Sequence, residues 1–139
     1  MPQKPKIIES NRSSSSGVRI LLADDFAPWR SHVRSFVQRE TEWKIVFEAC
    51  DGIEAVQKTV ELHPDIVLLD ISMPGLNGIE AASRIRQLSP DSKVIILTQN
   101  ADDDLMTAAL QAGAQAYVLK AEMTTELVPA VQAALRRSC

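Results

Sequence analysis

Five polar residues lie at the ends of four short apolar runs, and their types suit phosphate and metal chemistry. They are Asp24, Asp25, Asp70, Thr98 and Lys120. Aspartate oxygens are hard ligands of the kind that Mg²⁺ prefers. A carboxylate can also act as a nucleophile, while a hydroxyl and an ammonium group can bind and neutralise a phosphoryl group. The set therefore indicates phosphoryl transfer onto an aspartate beside a Mg²⁺ ion.

Parallel strands would gather these residues at one edge of a sheet. Continuous apolar runs are typical of strands that are buried on both faces, as in parallel sheets. Ligands of such sheets bind beyond the carboxyl ends of the strands, which is where the polar residues lie. The predicted strands are Val18–Ala23, Lys44–Ala49, Ile66–Leu69, Val94–Leu97 and Ala116–Leu119.

The segments between these runs have the apolar spacing of amphipathic helices. We therefore predict an α/β fold of the doubly wound, flavodoxin-like type. It is a (βα)5 series whose five-stranded parallel sheet has the order 2-1-3-4-5, with helices on both faces. The predicted inward-facing helix residues are Phe26, Trp29, Val33, Phe36 and Val37; Ile53, Val56 and Val60; Ile79, Ala82 and Ile85; Leu105, Ala108 and Ala112; and Leu127, Val131, Ala134 and Leu135.

Each of the five polar residues has an ordinary explanation when it is taken alone. An aspartate can cap a helix or form a turn, a threonine suits a strand end, and a single lysine is usually solvated. The combination is harder to explain, because carboxylates about 4 Å apart repel one another by roughly 1–4 kcal/mol per pair. A cation would offset this repulsion. Since no His or Cys accompanies these residues, the pattern favours Mg²⁺ over zinc.

The composition is that of a single globular domain. The 139 residues are 45% hydrophobic and carry a formal net charge of −3, which argues against direct nucleic-acid binding through a basic surface. No apolar run is long enough to cross a membrane. Two cysteines are too few for a disulfide framework, so we expect a cytoplasmic protein. A serine-rich stretch predicts a flexible tail over residues 1–17, before a domain over residues 18–139.

Four motifs resemble the receiver domain of two-component response regulators. They occur in the order and spacing of that family, and the resemblance covers nearly all of residues 18–137. The motifs are Leu21-Leu22-Ala23-Asp24-Asp25, Asp70-Ile71-Ser72-Met73-Pro74-Gly75-Leu76-Asn77-Gly78, Leu97-Thr98 and Tyr117-Val118-Leu119-Lys120.

The resemblance implies that Asp70 accepts a phosphoryl group from a sensor histidine kinase, with Mg²⁺ as the cofactor. Asp25 would bind the metal directly and Asp24 mostly through water. Asp70 and the backbone carbonyl of Ser72 would complete the protein ligands. In this interpretation the protein is a signalling phosphoacceptor rather than an enzyme with a separate substrate.

The same resemblance implies a conformational switch beside the metal. Thr98 would hydrogen-bond the phosphoryl group, and Lys120 would pair with it. Tyr117 matches the switch aromatic of the family, which turns inward as Thr98 moves towards the phosphate. The ordinary alternative for Tyr117 is a strand aromatic that fills the core.

Two positions depart from the commonest pattern of the family. Gln99 stands where a small residue usually follows the threonine, and Ala121 stands where proline often follows the lysine. The second departure, together with the stretches Asp70–Gly75 and Gly113–Lys120, resembles the subfamily whose receivers precede a LuxR-type helix-turn-helix. The implied context is a transcriptional regulator that can dimerise on phosphorylation. Any DNA contact would then come from a separate C-terminal domain rather than from residues 1–139.

The departure at Ala121 also allows a geometric prediction. A cis peptide bond before a residue other than proline costs about 3–4 kcal/mol, so the Lys120–Ala121 bond should be trans. Strand pairing and the loop Glu122–Thr125 must then orient Lys120. Proline is tolerated best in the first turn of a helix, so Pro129 predicts that the last helix begins near Thr125, or kinks there.

Three other functions fit parts of the pattern. The chain could be a stand-alone receiver that relays phosphate or binds other proteins. A flavin-binding electron carrier shares the fold, but the loop Asp24–Ala27 would repel a flavin phosphate. A phosphatase of the haloacid dehalogenase type also uses an aspartate nucleophile, but Ser72 occupies the position where those enzymes carry a second aspartate.

Overall fold

The computed structural model describes residues 17–136, in which five strands alternate with five α-helices. Apart from Gly17, the predicted tail lies outside the described residues, as does Cys139. A short 3₁₀ helix, Lys120–Glu122, precedes the last helix. The strands are β1 (Arg19–Ala23), β2 (Lys44–Ala49), β3 (Ile66–Leu69), β4 (Lys93–Thr98) and β5 (Ala116–Leu119), and the helices are α1 (Ala27–Glu40), α2 (Gly52–Leu62), α3 (Gly78–Leu88), α4 (Asp103–Gln111) and α5 (Met123–Arg136).

The strands form one parallel sheet in the order β2-β1-β3-β4-β5, which confirms the predicted fold. Three strands have the predicted bounds. The first begins one residue later than predicted, at Arg19, and the fourth is one residue longer at each end. The order places β1, β3 and β4 inside the sheet, and nearly all of their side chains are buried. This burial explains why these runs are continuously apolar rather than alternating.

Alternate side chains of the strands pack into two separate apolar layers, one on each face of the sheet. Leu21 and Ala23 of β1 face the layer that α2, α3 and α4 cover. Ile20 and Leu22 face the opposite layer, which α1 and α5 cover. This alternation is the two-residue period of an extended chain. Helices on both faces leave the ends of the strands as the part of the sheet that a ligand can approach.

The prediction of the inward face was wrong for parts of the first two helices. Phe26 precedes α1 and is 61% exposed, and in α2 Ile53 and Val60 are 50% and 40% exposed. The buried face of α2 consists of small residues and Val56. A side chain at Gly52 would collide with the backbone carbonyl of Leu76. The close approach of the chain after β3 at Gly52 explains why the neighbouring Ile53 faces outwards.

The start of the last helix differs from the prediction, whereas the peptide bond before it does not. Residues 17–136 contain no cis peptide bond, so Lys120–Ala121 is trans as predicted. Helix α5 begins at Met123, two residues before Thr125, and Pro129 is inside the helix rather than in its first turn. The proline removes the hydrogen bond to the carbonyl of Thr125. Both residues are exposed, so water can satisfy that carbonyl.

None of the helices in residues 17–136 combines the length and apolar character needed to cross a membrane.

Candidate functional site

The carboxyl ends of the strands bring the predicted site residues together. The Asp70 amide donates to the carbonyl of Ala23 at 3.1 Å, so the pairing of β1 with β3 continues to the site. Asp24 and Asp70 are 1% and 6% exposed, and Thr98 is fully buried at the end of β4. Burial of three polar side chains at one sheet edge is costly unless they have partners. The neighbouring residues supply several of these partners.

Three carboxylates form the acidic part of the site. Asp24, Asp25 and Asp70 each place an oxygen within 4.8 Å of the others. Asp25 is exposed, whereas Asp24 and Asp70 are buried. The Oδ1 atom of Asp24 accepts a hydrogen bond from the Phe26 amide at 2.8 Å. Asp24 thus holds the start of the β1–α1 connection and also faces the other two carboxylates. It does not cap α1, whose N-cap is Phe26 and has no side-chain cap, so the helix-cap explanation was wrong for this residue.

Lys120 partly neutralises this cluster. Its Nζ atom lies 2.7 Å from Asp24 Oδ2 and 3.8 Å from Asp70 Oδ2. The shorter contact makes the Lys120 ammonium the partner of Asp24 Oδ2. One ammonium group therefore faces three carboxylates. Three clustered carboxylates that share one ammonium group fit a hard divalent cation such as Mg²⁺.

The environment of Asp70 disfavours its charged form. Burial is the main reason that its pKa lies above the ordinary value, and the nearby Asp24 carboxylate raises the pKa further. The Lys120 ammonium, the Thr98 hydroxyl and the Ile71 amide oppose this rise, because each stabilises the carboxylate. The site thus holds a carboxylate that a further positive charge would stabilise.

The loop after β3 is built to turn closely around Asp70. A side chain at Gly78 would collide with the Asp70 carbonyl, so a residue without Cβ is required there. Gly75 has φ +75°, which favours glycine. Asn77 and Glu80 form a capping box at the start of α3. These features fix both ends of the loop that carries Ser72, whose side chain is exposed.

The other side of the site is arranged around Asn100, which the sequence analysis missed. The Asn100 amide donates to Thr98 Oγ1 at 3.3 Å, and its side-chain Nδ2 donates to Ser72 Oγ at 3.5 Å. The Tyr117 hydroxyl donates to the Asn100 carbonyl at 2.7 Å, in an exposed hydrogen bond. The Tyr117 hydroxyl is thus at the surface, although its ring packs against the layer under α2, α3 and α4. Contacts made through a backbone carbonyl leave no signal in the sequence.

Two residues of α1 were also missed as parts of the site. Arg30 Nη1 donates to the Asp24 carbonyl at 2.5 Å, while its Nε atom pairs with Glu48 at 3.3 Å. The ring of Trp29 lies 5.1 Å from the Nζ atom of Lys120. Their place four and five residues after Asp25 is visible in the sequence. The apolar spacing of α1, however, indicated only a core role for Trp29.

Comparisons with known proteins agree with this geometry. The profile of the response regulator receiver domain matches residues 20–132. The transcriptional regulatory protein LiaR of Bacillus subtilis (strain 168) is 38% identical over 117 residues, which cover 84% of this chain and 56% of that protein. The chain thus spans about half the length of the curated relatives that it matches.

Solved structures give the same result. A LuxR-family two-component response regulator from Aurantimonas sp. SI85-9A1 aligns with a TM-score of 0.81 and 37% identity, covering 86% of each chain. The receiver domain of the putative response regulator NarL from Mycobacterium tuberculosis aligns with a TM-score of 0.82 and 30% identity, covering 87% of this chain and 98% of that one. The chain therefore belongs to the response regulator receiver domain family.

Proposed function

We propose that this receiver accepts a phosphoryl group on Asp70 from a sensor histidine kinase, with Mg²⁺ bound beside it. The observation that carries the proposal is the meeting of three carboxylates and one lysine ammonium around a buried Asp70. A structural ion pair would need one carboxylate for one lysine. Here two further carboxylates remain without a lysine of their own. A bound cation would account for these carboxylates, and a phosphoryl group would account for the lysine.

Asp24, Asp25, Asp70 and the backbone carbonyl of Ser72 would hold the Mg²⁺ ion. All are oxygen donors, and the exposed Asp25 gives the ion access from solvent. When bound, Mg²⁺ supplies positive charge that neutralises the oxygens of the transferring phosphoryl group. Lys120 would then be free to leave Asp24, whose charge the ion compensates.

The residues of this chain would perform the transfer as follows. An oxygen of Asp70 forms a bond to phosphorus while the bond from phosphorus to the histidine nitrogen of the kinase breaks. The electron pair of that bond stays on the imidazole. Lys120 pairs with the phosphoryl oxygens, and the Thr98 hydroxyl donates a hydrogen bond to one of them. Thr98 already lies beside Asp70, which supports this role.

The conformational switch would begin when the Thr98 hydroxyl forms its hydrogen bond to the phosphoryl group. Movement of Thr98 towards the phosphoryl group pulls on Asn100, whose amide donates to Thr98 and whose carbonyl holds Tyr117. Release of that carbonyl lets the Tyr117 ring turn inwards. Because the Tyr117 hydroxyl lies at the surface, we assign this structure to the inactive state.

The output of the module is proposed from its relatives. LiaR is described as a transcriptional regulatory protein, and the solved relative from Aurantimonas belongs to the LuxR family. We propose that this receiver likewise controls transcription, with dimerisation on phosphorylation and with DNA contacted by a separate domain. A stand-alone relay remains the second candidate. A reducing cytoplasm suits either, because Cys50 is a free and exposed thiol.

Intact-mass measurement after treatment with acetyl phosphate and Mg²⁺ tests the proposal. The wild-type protein should gain the mass of one phosphoryl group. Asp70→Asn should gain none, because the amide lacks the nucleophilic oxygen. Asp91→Asn, at an exposed aspartate away from the site, is the matched control and should react like the wild type. Full modification of Asp70→Asn would contradict the assignment of Asp70.

A further inference from the structure

We infer that Trp29 is a positioning residue whose ring holds the Lys120 ammonium over the phosphoryl-accepting site. The inference rests on the proposed function, because it concerns how Lys120 reaches a phosphoryl group on Asp70. Trp29 is the third residue of α1. Its ring centre lies 5.1 Å from Lys120 Nζ, which is within the range of a cation–π contact.

Packing rather than polar bonding holds the ring in place. Trp29 packs against the apolar layer between the sheet and the helices α1 and α5. Its Nε1 atom is buried and has no hydrogen-bond partner in the described part of the chain. The ring centre of His32, one turn further along α1, lies 5.1 Å away. The ring is therefore supported from the helix and the core, and one face remains for a cation.

Lys120 needs such support because its own segment offers little. Strand β5 ends at Leu119, and the 3₁₀ helix that follows contains the exposed residues Ala121 and Glu122. The lysine side chain is nevertheless only 15% exposed. A long flexible side chain loses rotamer freedom when it is held in this way. The segment Glu122–Thr125, predicted as a loop, is helical, and the ring of Trp29 offers Lys120 a contact from α1.

The contact also explains how Lys120 can change partners. In the present arrangement its ammonium lies closer to Asp24 than to Asp70. Pairing with a phosphoryl group on Asp70 requires it to move away from Asp24. The face of an aromatic ring attracts a cation without the geometric demands of a hydrogen bond. Trp29 therefore keeps the ammonium over the site while its carboxylate partner changes.

The test is a double-mutant cycle between Trp29 and Lys120. Trp29→Leu should slow phosphorylation by acetyl phosphate about three- to tenfold, since the leucine fills space but offers no π face. Trp29→Phe should recover part of the rate. In a Lys120→Ala background, Trp29→Leu should cause no further loss. Trp43→Leu, which alters a buried tryptophan in the same layer, controls for general destabilisation and should keep the wild-type rate in protein that remains folded.

A second measurement follows the contact itself and does not depend on phosphorylation. In the NMR spectrum of the metal-free protein, the ring current of Trp29 should shift the Lys120 Cε protons upfield, and Trp29→Leu should abolish the shift. An unshifted Lys120 in the wild type, or an equal effect of Trp29→Leu with and without Lys120, would overturn the inference. Failure of the wild type to be phosphorylated, with the upfield shift present, would instead contradict the proposed function.

Discussion

The two halves of the site differ in how firmly their side chains are held. In the acidic half, buried Asp24 and Asp70 face Lys120 at 2.7 and 3.8 Å, and Trp29 and Arg30 support the lysine and the Asp24 backbone. In the switch half, the exposed Asn100 connects Thr98 to Tyr117 through single hydrogen bonds. The first half is arranged before any ligand binds, whereas the second depends on contacts that water can replace.

This difference matches the demands of the two tasks. Phosphoryl transfer gains from charges that are already in position, because little reorganisation is then needed in the transition state. A switch gains from a state whose free energy lies close to that of its alternative. Substitutions in the acidic half should therefore change metal binding and stability strongly, and those in the switch half should change mainly local motion.

The largest effect should follow the loss of a carboxylate that is proposed to bind the metal. Asp25→Ala should weaken Mg²⁺ binding about a hundredfold and Asp24→Ala about tenfold. Asp24 already has the Lys120 ion pair and the Phe26 amide as partners, so its carboxylate is less available to the ion. Calorimetric titration with Mg²⁺ measures both affinities, and Asp91→Ala, at an exposed aspartate, should leave the affinity unchanged. Equal losses of Mg²⁺ affinity in the two site variants would contradict the proposal that Asp25 contributes more to Mg²⁺ binding than Asp24.

An intermediate effect is expected on stability when Asp70 loses its charge. Because the folded state raises the pKa of Asp70 above the ordinary value of 3.8, the ionised form lowers the free energy of unfolding at neutral pH. Asp70→Asn should therefore stabilise the metal-free protein by about 1 kcal/mol at neutral pH.

The stability gain of Asp70→Asn should depend on the pH and on Mg²⁺. The advantage of Asp70→Asn should shrink as the pH falls from above the raised pKa towards about 4, since both folded and unfolded wild type then become protonated at Asp70. Saturating Mg²⁺ should also remove the advantage, because the ion stabilises the carboxylate. Urea unfolding at several pH values measures these differences. A metal-free Asp70→Asn variant that is less stable than the wild type at neutral pH would contradict the electrostatic account.

The smallest effect should come from the switch half. Tyr117→Phe removes the hydrogen bond to the Asn100 carbonyl and keeps the ring, so the loss of stability should be about 0.5 kcal/mol. Backbone amide exchange in residues 99–102 should become faster, while the rate of phosphorylation by acetyl phosphate should hardly change. Unchanged exchange in this loop would show that the hydroxyl does not hold Asn100.

The acidic half was the more predictable from the sequence. Continuous apolar runs located the strands almost to the residue. The polar residues after the first, third and fifth runs identified Asp24, Asp70 and Lys120, because parallel strands end at a common edge. The motif resemblance added Tyr117, but its contact with Asn100 uses a backbone carbonyl and has no pattern.

Contacts between distant elements account for the remaining differences. The apolar spacing of α2 predicted an inward Ile53, yet the close approach of Gly52 to Leu76 turned it outwards. Trp29 appeared to be an ordinary core residue of α1. Its contact with Lys120, which is 91 positions away along the chain, depends on how the fold brings the start of α1 near the residue that follows β5. Local patterns carry no information about such a pair.

The most direct test locates the phosphoryl group among the three clustered carboxylates. Protein treated with acetyl phosphate and Mg²⁺ is reduced with borohydride, which converts an acyl phosphate to homoserine, and is then digested and sequenced by mass spectrometry. The account predicts homoserine at position 70 alone. Homoserine at position 24 or 25, or no homoserine in protein that has gained the phosphoryl mass, would contradict it.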